Sequence, residues 1–229
     1  MLEFPIIDKE ITGIAPDFKA ISILVDAEEA AVKGAMVRDV LEEACDFVRA
    51  GGPSWGEAHL ASWGEVYSRF GAKPNRTPCS ALALKKRVEK DGRIPSINPL
   101  VDLYNAVSLR FAIPVGGENF DAYVGNPRLS VADGTEQFDT VMNGAAIIEN
   151  PLKGEVIWRD DAGVTCRRWN WRQGTRTRLD AIGGRMWFIL ESLGSMPDEA
   201  LEEAANMLAG GLRQLAPRCE IYRQRVGVV

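Results

Sequence analysis

Asn98, Asp102 and Asn105 stand at helical spacing within the run Ile94 to Leu109. An amide, a carboxylate and a second amide on one helix face form a row able to hold an ammonium group or a water molecule. Leu100, Leu103 and Val107 supply the apolar stripe of the same helix, so the row lies near the core edge, where polar groups need partners. Two readings fit: side chains that tie down neighbouring loops, and side chains that grip a ligand. His59 is the sole histidine and no Gly-x-Ser-x-Gly elbow is present, so a triad could form only around that residue. Cys45, Cys79, Cys166 and Cys219 are scattered without a Cys-x-x-Cys pair, which predicts reduced, mostly buried thiols and neither a zinc knuckle nor a disulfide framework. No metal and no cofactor is expected. Cys79 precedes a predicted helix N-terminus, where a thiolate would be favoured, but no histidine neighbours it in sequence, and Ser80 as N-cap is the simpler account.

One district is basic: Arg159, Arg167-Arg168-Trp169-Asn170-Trp171-Arg172 and Arg176-Thr177-Arg178. Guanidinium groups fork onto phosphates and indole faces accept bases, which suits RNA. On a strand, however, Arg168, Asn170 and Arg172 would point one way and Arg167, Trp169 and Trp171 the other, leaving the aromatics as core and Arg167 paired to an acid. Lys73 and Arg76 form a second basic spot before a helix N-terminus, suited to one phosphate.

Val101-Asp102-x-x-Asn105, then a hydrophobic run, Pro114, a glycine pair and Phe120-Asp121, resemble the central motif of the B3/B4 domain, the editing domain of the bacterial phenylalanyl-tRNA synthetase beta subunit. The family's turn histidine is replaced near Gly116. Gly154 to Trp158 and Asp161 to Val164 are similar to the strand, acidic turn and strand that carry the family's pocket wall. Ile189-Leu190-Glu191-Ser192 is similar to a Leu-Leu-Glu-Ser-Ala segment whose Glu reads the side chain of a wrongly attached amino acid. The resemblance covers roughly Tyr67 to Leu215, with no synthetase catalytic core beside it. It implies a layered α/β domain built around an unusual β-sandwich, with the pocket between the sheet and the helix bearing the Val-Asp-x-x-Asn motif.

The elements that would position these residues read as follows. Extended pieces are predicted at Phe4 to Ile14 and Ala20 to Val25, and helices at Glu28 to Ala50, Glu57 to Phe70 and Ser80 to Lys90. Past Pro114, short runs at 128–131, 145–149, 155–159, 164–171 and 186–190 predict a mixed sheet. Ser195-Met196-Pro197-Asp198 resembles a capping box that opens a helix to about Leu215. Helices mainly in the N-terminal half, then strands and one C-terminal helix, give an α+β class over alternating βαβ units. At 229 residues with 46% hydrophobic content and no Pro- or Ser-rich linker, one domain over 1–229 is expected. The formal net charge of -5 argues against DNA or a broad nucleic-acid surface, so any RNA contact must be local. No basic leader and no bilayer-length apolar run is present, which predicts a cytoplasmic protein without membrane contact.

The resemblance implies a trans-acting aminoacyl-tRNA deacylase whose partner is the aminoacylated 3' end of tRNA. The aminoacyl ester is activated, so hydrolysis needs a positioned water, a polarised carbonyl and a selective pocket, without a strong nucleophile. Glu191, Asn105 and Asp102 are the expected catalytic residues, with Asn98, Gly116, Gly117, Glu118 and Arg168 contacting substrate. Arg172, Arg176, Lys73 and Arg76 are expected to meet tRNA. Arg168 replaces a residue usually small in the family, so a tyrosyl substrate is not carried over. The alternative is a module that binds an amino acid or a tRNA end without turnover.

Overall fold

A computed structural model describes residues 5–27, 35–180 and 182–227, with side chains of 35–38 left aside. In chain order the elements are β1 (Ile6–Ile7), α1 (Glu10–Ile14), β2 (Lys19–Ala27), α2 (Ala35–Arg49), α3 (Gly56–Arg69), α4 (Ser80–Asp91) and α5 (Pro99–Phe111). There follow β3 (Val115–Asn119), β4 (Arg128–Val131), β5 (Phe138–Met142), β6 (Ala145–Glu149), β7 (Val156–Arg159), β8 (Val164–Arg167) and β9 (Arg172–Gln173). The chain closes with β10 (Gly184–Ser192), α6 (Asp198–Leu215) and β11 (Glu220–Gly227).

The fold is α+β with two stacked sheets, as the sequence predicts. The smaller sheet runs β11-β2-β10-β3, all antiparallel, and the larger runs β1-β4-β7-β8-β5-β6 with β9 on β8. β10 is apolar almost throughout because both its faces are covered. Met186, Phe188 and Leu190 join Ile21, Ile23 and Val25 of β2 against Leu103 and Val107 of α5 and Leu201, Leu208 and Leu212 of α6. Trp187 and Ile189, pointing the other way, meet Leu129, Val156 and Trp158 of the larger sheet, with Trp63 and Tyr67 of α3 closing the side. A third cluster locks α2 and α4 to α5 through Leu41, Cys45, Val88, Ala106 and Leu109. Burial of this kind contributes about 25 cal/mol per Å² of apolar area.

Several boundaries differ from expectation for definable reasons. Of Phe4 to Ile14 only Ile6–Ile7 pairs, because the chain turns at Asp8, whose carbonyl accepts the Ile11 N–H at 3.0 Å and opens α1. Of the expected helix from Glu28, α2 is described from Ala35; residues 28–34 lie outside the described residues. The expected strand 164–171 ends at Arg167, since Arg168 and Trp169 take left-handed φ of 47° and 65°. α6 begins as expected, but no side chain caps it. Pro197 holds the cap position and Ser195 Oγ instead meets Ser62 Oγ at 3.0 Å. α4 is likewise capped by Cys79 without a side-chain bond, so Ser80 is its first helical residue. No helix among the described residues is long and apolar enough to cross a membrane.

Candidate functional site

Where the open edge of the smaller sheet meets the larger sheet and the flank of α4 and α5, the fold leaves a cavity of about 350 Å³. Sheet pleating decides what enters it. Residues two apart share a face, so Trp187, Ile189 and Glu191 of β10 project together, as do Gly116 and Glu118 of the adjoining β3. Trp158 of β7, Trp169, Asn170 and Trp171 of the loop after β8, Gln173 of β9, and Ser80, Arg87, Tyr104 and Asn105 of the two helices also line it. A larger cleft of about 540 Å³ lies between α2 and α4, but no comparable set of buried polar groups converges on it.

Glu191 is 1% exposed and its carboxylate is held by three donors. Oε1 accepts the indole N–H of Trp158 at 2.9 Å and of Trp169 at 2.8 Å, and Oε2 accepts the Asn170 amide at 2.9 Å. Tyr67 donates to Asn170 Oδ1 at 2.8 Å, which fixes the amide so that its N–H₂ turns to Glu191. The Glu191 N–H in turn donates to the Pro114 carbonyl at 3.0 Å. Burial pushes this carboxyl up to about 7, against the lowering effect of its three donors. One acceptor position on Oε2 remains for a ligand or a water.

The loop that supplies two of these donors is strained. Left-handed backbone at a non-glycine residue costs on the order of 1 kcal/mol, and Arg168 and Trp169 adopt it in succession. The strain reverses the chain within two residues and thereby sends Trp169, Asn170 and Trp171 all toward the cavity, which a continuous strand cannot do. Arg168 is left on the opposite side, 3.7 Å from Glu155 and with its guanidinium 4.5 Å over the Trp171 ring. The expected place for Arg168 in the substrate pocket is therefore corrected.

Glu118 is 5% exposed, bonded by the Tyr123 hydroxyl, and raised by burial to about 7. β3 is an edge strand. Its Asn119 N–H donates to Thr177 O at 2.8 Å and its Gly117 carbonyl accepts from Gln173 at 3.0 Å, so odd-numbered residues turn their backbone away from β10. Antiparallel geometry then directs the Gly117 N–H to the same open side. Both glycines are needed for space: a Cβ on Gly117 would stand 2.9 Å from Phe188 and 3.1 Å from Tyr104, and one on Gly116 3.3 Å from Ile189 inside the cavity.

Of the residues expected at the site, the structure brings Glu191, Glu118, Gly116, Gly117 and Asn105 to one cavity. The Asn105 side chain makes no hydrogen bond to another described residue. Asn98 and Asp102 do not line it. Asn98 caps α5 by accepting the Val101 N–H at 2.9 Å, and Asp102 accepts the Ile97 N–H at 2.9 Å and the Ser96 hydroxyl. They tie down the preceding loop, so of the two readings of that polar row the ligand-gripping one keeps only Asn105. Arg172 is paired with Glu149 at 2.9 Å, and Arg176 grips Asp160 with two bonds of 2.8 and 2.9 Å while donating to Ala122 O. Both arginines, expected as tRNA contacts, are thus engaged by acids of the fold and lie outside the basic cavity described next. Lys73 and Arg76 do meet in a separate cavity of about 380 Å³, together with Lys153 and Arg168.

His59 is fully buried: Nδ1 bonds the Ala112 carbonyl at 2.8 Å and Nε2 accepts the Leu193 N–H at 3.1 Å, so the ring is neutral and bridges two loops. Burial pushes the Cys79 thiol up to about 12, which removes it as a nucleophile. Among the described residues no group of three or more His, Cys, Asp or Glu side chains is arranged to hold a metal. Sequence reasoning missed Ser80 as a lining residue; its buried hydroxyl has no hydrogen-bond partner and borders the cavity. It also missed Trp158 and Asn170 as ligands of Glu191, for which the only signal was that a carboxylate inside an apolar strand must find donors.

The B3/4 domain model matches residues 62–209. A solved structure, an N-terminal fragment of the phenylalanyl-tRNA synthetase beta-subunit from Pyrococcus horikoshii, aligns over 98% of this chain and 54% of its own, at 9% identity and a TM-score of 0.48. The chain thus spans about half the length of that fragment. No curated protein matches it in sequence.

Proposed function

The chain belongs to the B3/4 domain family, and on that premise we propose that it acts in trans as an aminoacyl-tRNA deacylase. The observation that carries this reading is the Glu191 carboxylate, buried in the wall of a cavity and held rigid by two indoles and an amide. Such a group reads a polar side chain by a hydrogen bond whose loss leaves a desolvated acid unpaired, which is how binding sites reach large discrimination. The acyl side chain would lie against Trp158 and Trp187 with its end at Glu191. Its ester carbonyl would face the Gly117 N–H as an oxyanion donor, and Asn105 would hold the attacking water. These groups suffice because the ester is already activated, so positioning and charge stabilisation carry most of the barrier reduction. The tRNA backbone would follow the basic cavity of Lys73, Arg76, Lys153 and Arg168.

A panel of tRNAs charged with cognate and non-cognate amino acids tests the proposal. Catalytic release of free amino acid from a subset of them, at substoichiometric protein, is the expected result. Protection of the ester without turnover across the panel would instead make the chain a binding module, a reading that the rigid three-donor hold on Glu191 also accommodates.

A further inference from the structure

Two buried acids line the cavity. Glu118 pairs across the sheet with Trp187, and Glu191 lies four residues beyond Trp187 on the same face, so the two acids are separated by about 13 Å of strand at roughly 3.3 Å per residue. Indole and aliphatic surface fills the interval. Among the lining residues the one cation is Arg87, whose side chain is 56% exposed at the rim and lies 3.9 Å from Asp91. The nearby Arg176 guanidinium, which acts on Glu118, is held by Asp160 outside the cavity lining, and no cation faces Glu191 from within the cavity.

Both acids also keep acceptor capacity of one kind. Glu191 has an unused position on Oε2 beside the Asn170 amide, and Glu118, which accepts from Tyr123 at Oε2 with the Thr165 and Thr177 hydroxyls beside it, meets neutral donors only. A group with donors only, and positive charge, matches such an acid. An ammonium fits; a carboxylate is repelled; a methyl leaves the acid desolvated and unpaired; a hydroxyl answers only one of the two acids. Aromatic faces between the acids add cation-π attraction and a dry wall for methylenes.

We propose that Glu118 and Glu191 together make the cavity selective for a diaminoacyl group such as lysyl or ornithyl, its α-ammonium at Glu118 and its side-chain ammonium at Glu191. This rests on the site named above but not on hydrolysis. The α-ammonium belongs at Glu118 because the Gly117 N–H, the donor for the adjoining carbonyl, is the next residue of the same strand.

The test is calorimetric titration of the full chain with non-hydrolysable adenosine analogues carrying an amide-linked lysyl, norleucyl, glutamyl or Nα-acetyl-lysyl group at the 3' position. The lysyl analogue should bind at least tenfold more tightly than norleucyl, which keeps the methylenes and lacks the terminal amine, and more tightly than the other two. Glu191→Gln should abolish the lysyl to norleucyl ratio, and Glu118→Gln the lysyl to Nα-acetyl-lysyl ratio, each leaving the other ratio and the thermal midpoint at pH 6 nearly intact. A purely structural role would shift both ratios together. Equal binding of lysyl and norleucyl, no binding of any analogue, or ratios that survive both substitutions would overturn the proposal. Tight lysyl binding with no hydrolysis of any charged tRNA would sink the deacylase reading and leave this selectivity standing; turnover of other charged tRNAs with equal lysyl and norleucyl binding would do the reverse.

Discussion

Glu118 and Glu191 are acids whose neutral form the fold favours, since burial raises both to about 7. The stability this gives is complete below the unfolded value near 4.5 and is lost as pH rises through 7, because over that window the unfolded chain binds fewer protons than the folded one. His59 has the opposite sign: lowered by burial to about 4, it contributes stability present above 6.5 and lost as pH falls through 4. Glu191→Gln removes one titration and keeps the volume. Its thermal midpoint should therefore gain on the parent as pH rises from 5 to 8, measured by scanning calorimetry across that range; parallel curves would mean that Glu191 is not the group titrating. Deacylation should behave inversely. The parent's kcat/KM on its best substrate should climb through about pH 7 as Glu191 ionises, whereas Glu191→Gln should lose more than tenfold and show a flattened profile. Unchanged kinetics on every accepted substrate would take Glu191 out of the site.

β10 and the loop after β8 show what the sequence displays and what it conceals at the level of elements. Glu191 is legible because a carboxylate within the apolar run Trp187 to Leu190 demands partners, and because the segment matches a family pattern. Its partners are not legible. Trp158 and Asn170 stand 33 and 21 residues away and meet it only through the stacking of two sheets. The left-handed pair Arg168-Trp169 is invisible to strand alternation, since neither residue type advertises positive φ. The same blindness turned Arg176 into an expected phosphate contact. Asp160, 2% exposed, accepts two bonds from Arg176 and further bonds from the N–H groups of Val124, Ala162 and Gly163, so the guanidinium joins the turn at Ala122 to the acidic turn after β7. Removing one partner of a buried pair leaves an uncompensated charge and costs about 3–5 kcal/mol. Arg176→Ala should accordingly lower the urea midpoint sharply while leaving the salt dependence of tRNA binding unchanged at temperatures where it is folded. A stable variant with a shallower salt slope would restore Arg176 to the RNA surface.

At the scale of the whole molecule, a chain of net charge -5 can hold tRNA only through a local concentration of cations. Four converge where none of the long-range ion pairs claims them fully: Lys73, Arg76 and Lys153 have no acidic partner among the described residues, and Arg168 stands 3.7 Å from a Glu155 already bonded twice by Arg167 at 2.9 Å. Lys73 and Arg76 are legible as a basic spot, but Lys153 joins them only because the loop before β7 folds beside the end of α3. The strained loop ties this cavity to the one that holds Glu191, since Arg168 lines one and the next three residues line the other. Each single-stranded phosphate neutralised releases roughly 0.7 of a counterion, so Lys73→Ala, Arg76→Ala and Lys153→Ala combined should reduce the slope of log K against log salt by about 2. All three side chains are exposed, which keeps the thermal midpoint near that of the parent. Hydrolysis of a small aminoacyl ester without the tRNA body should be unaffected in the triple variant, because the cavity holding Glu191 is untouched. Binding measured at several salt concentrations decides the matter: an unchanged slope in the folded variant would place the RNA on another face, and an equal loss on the small ester would show that the two cavities are not independent.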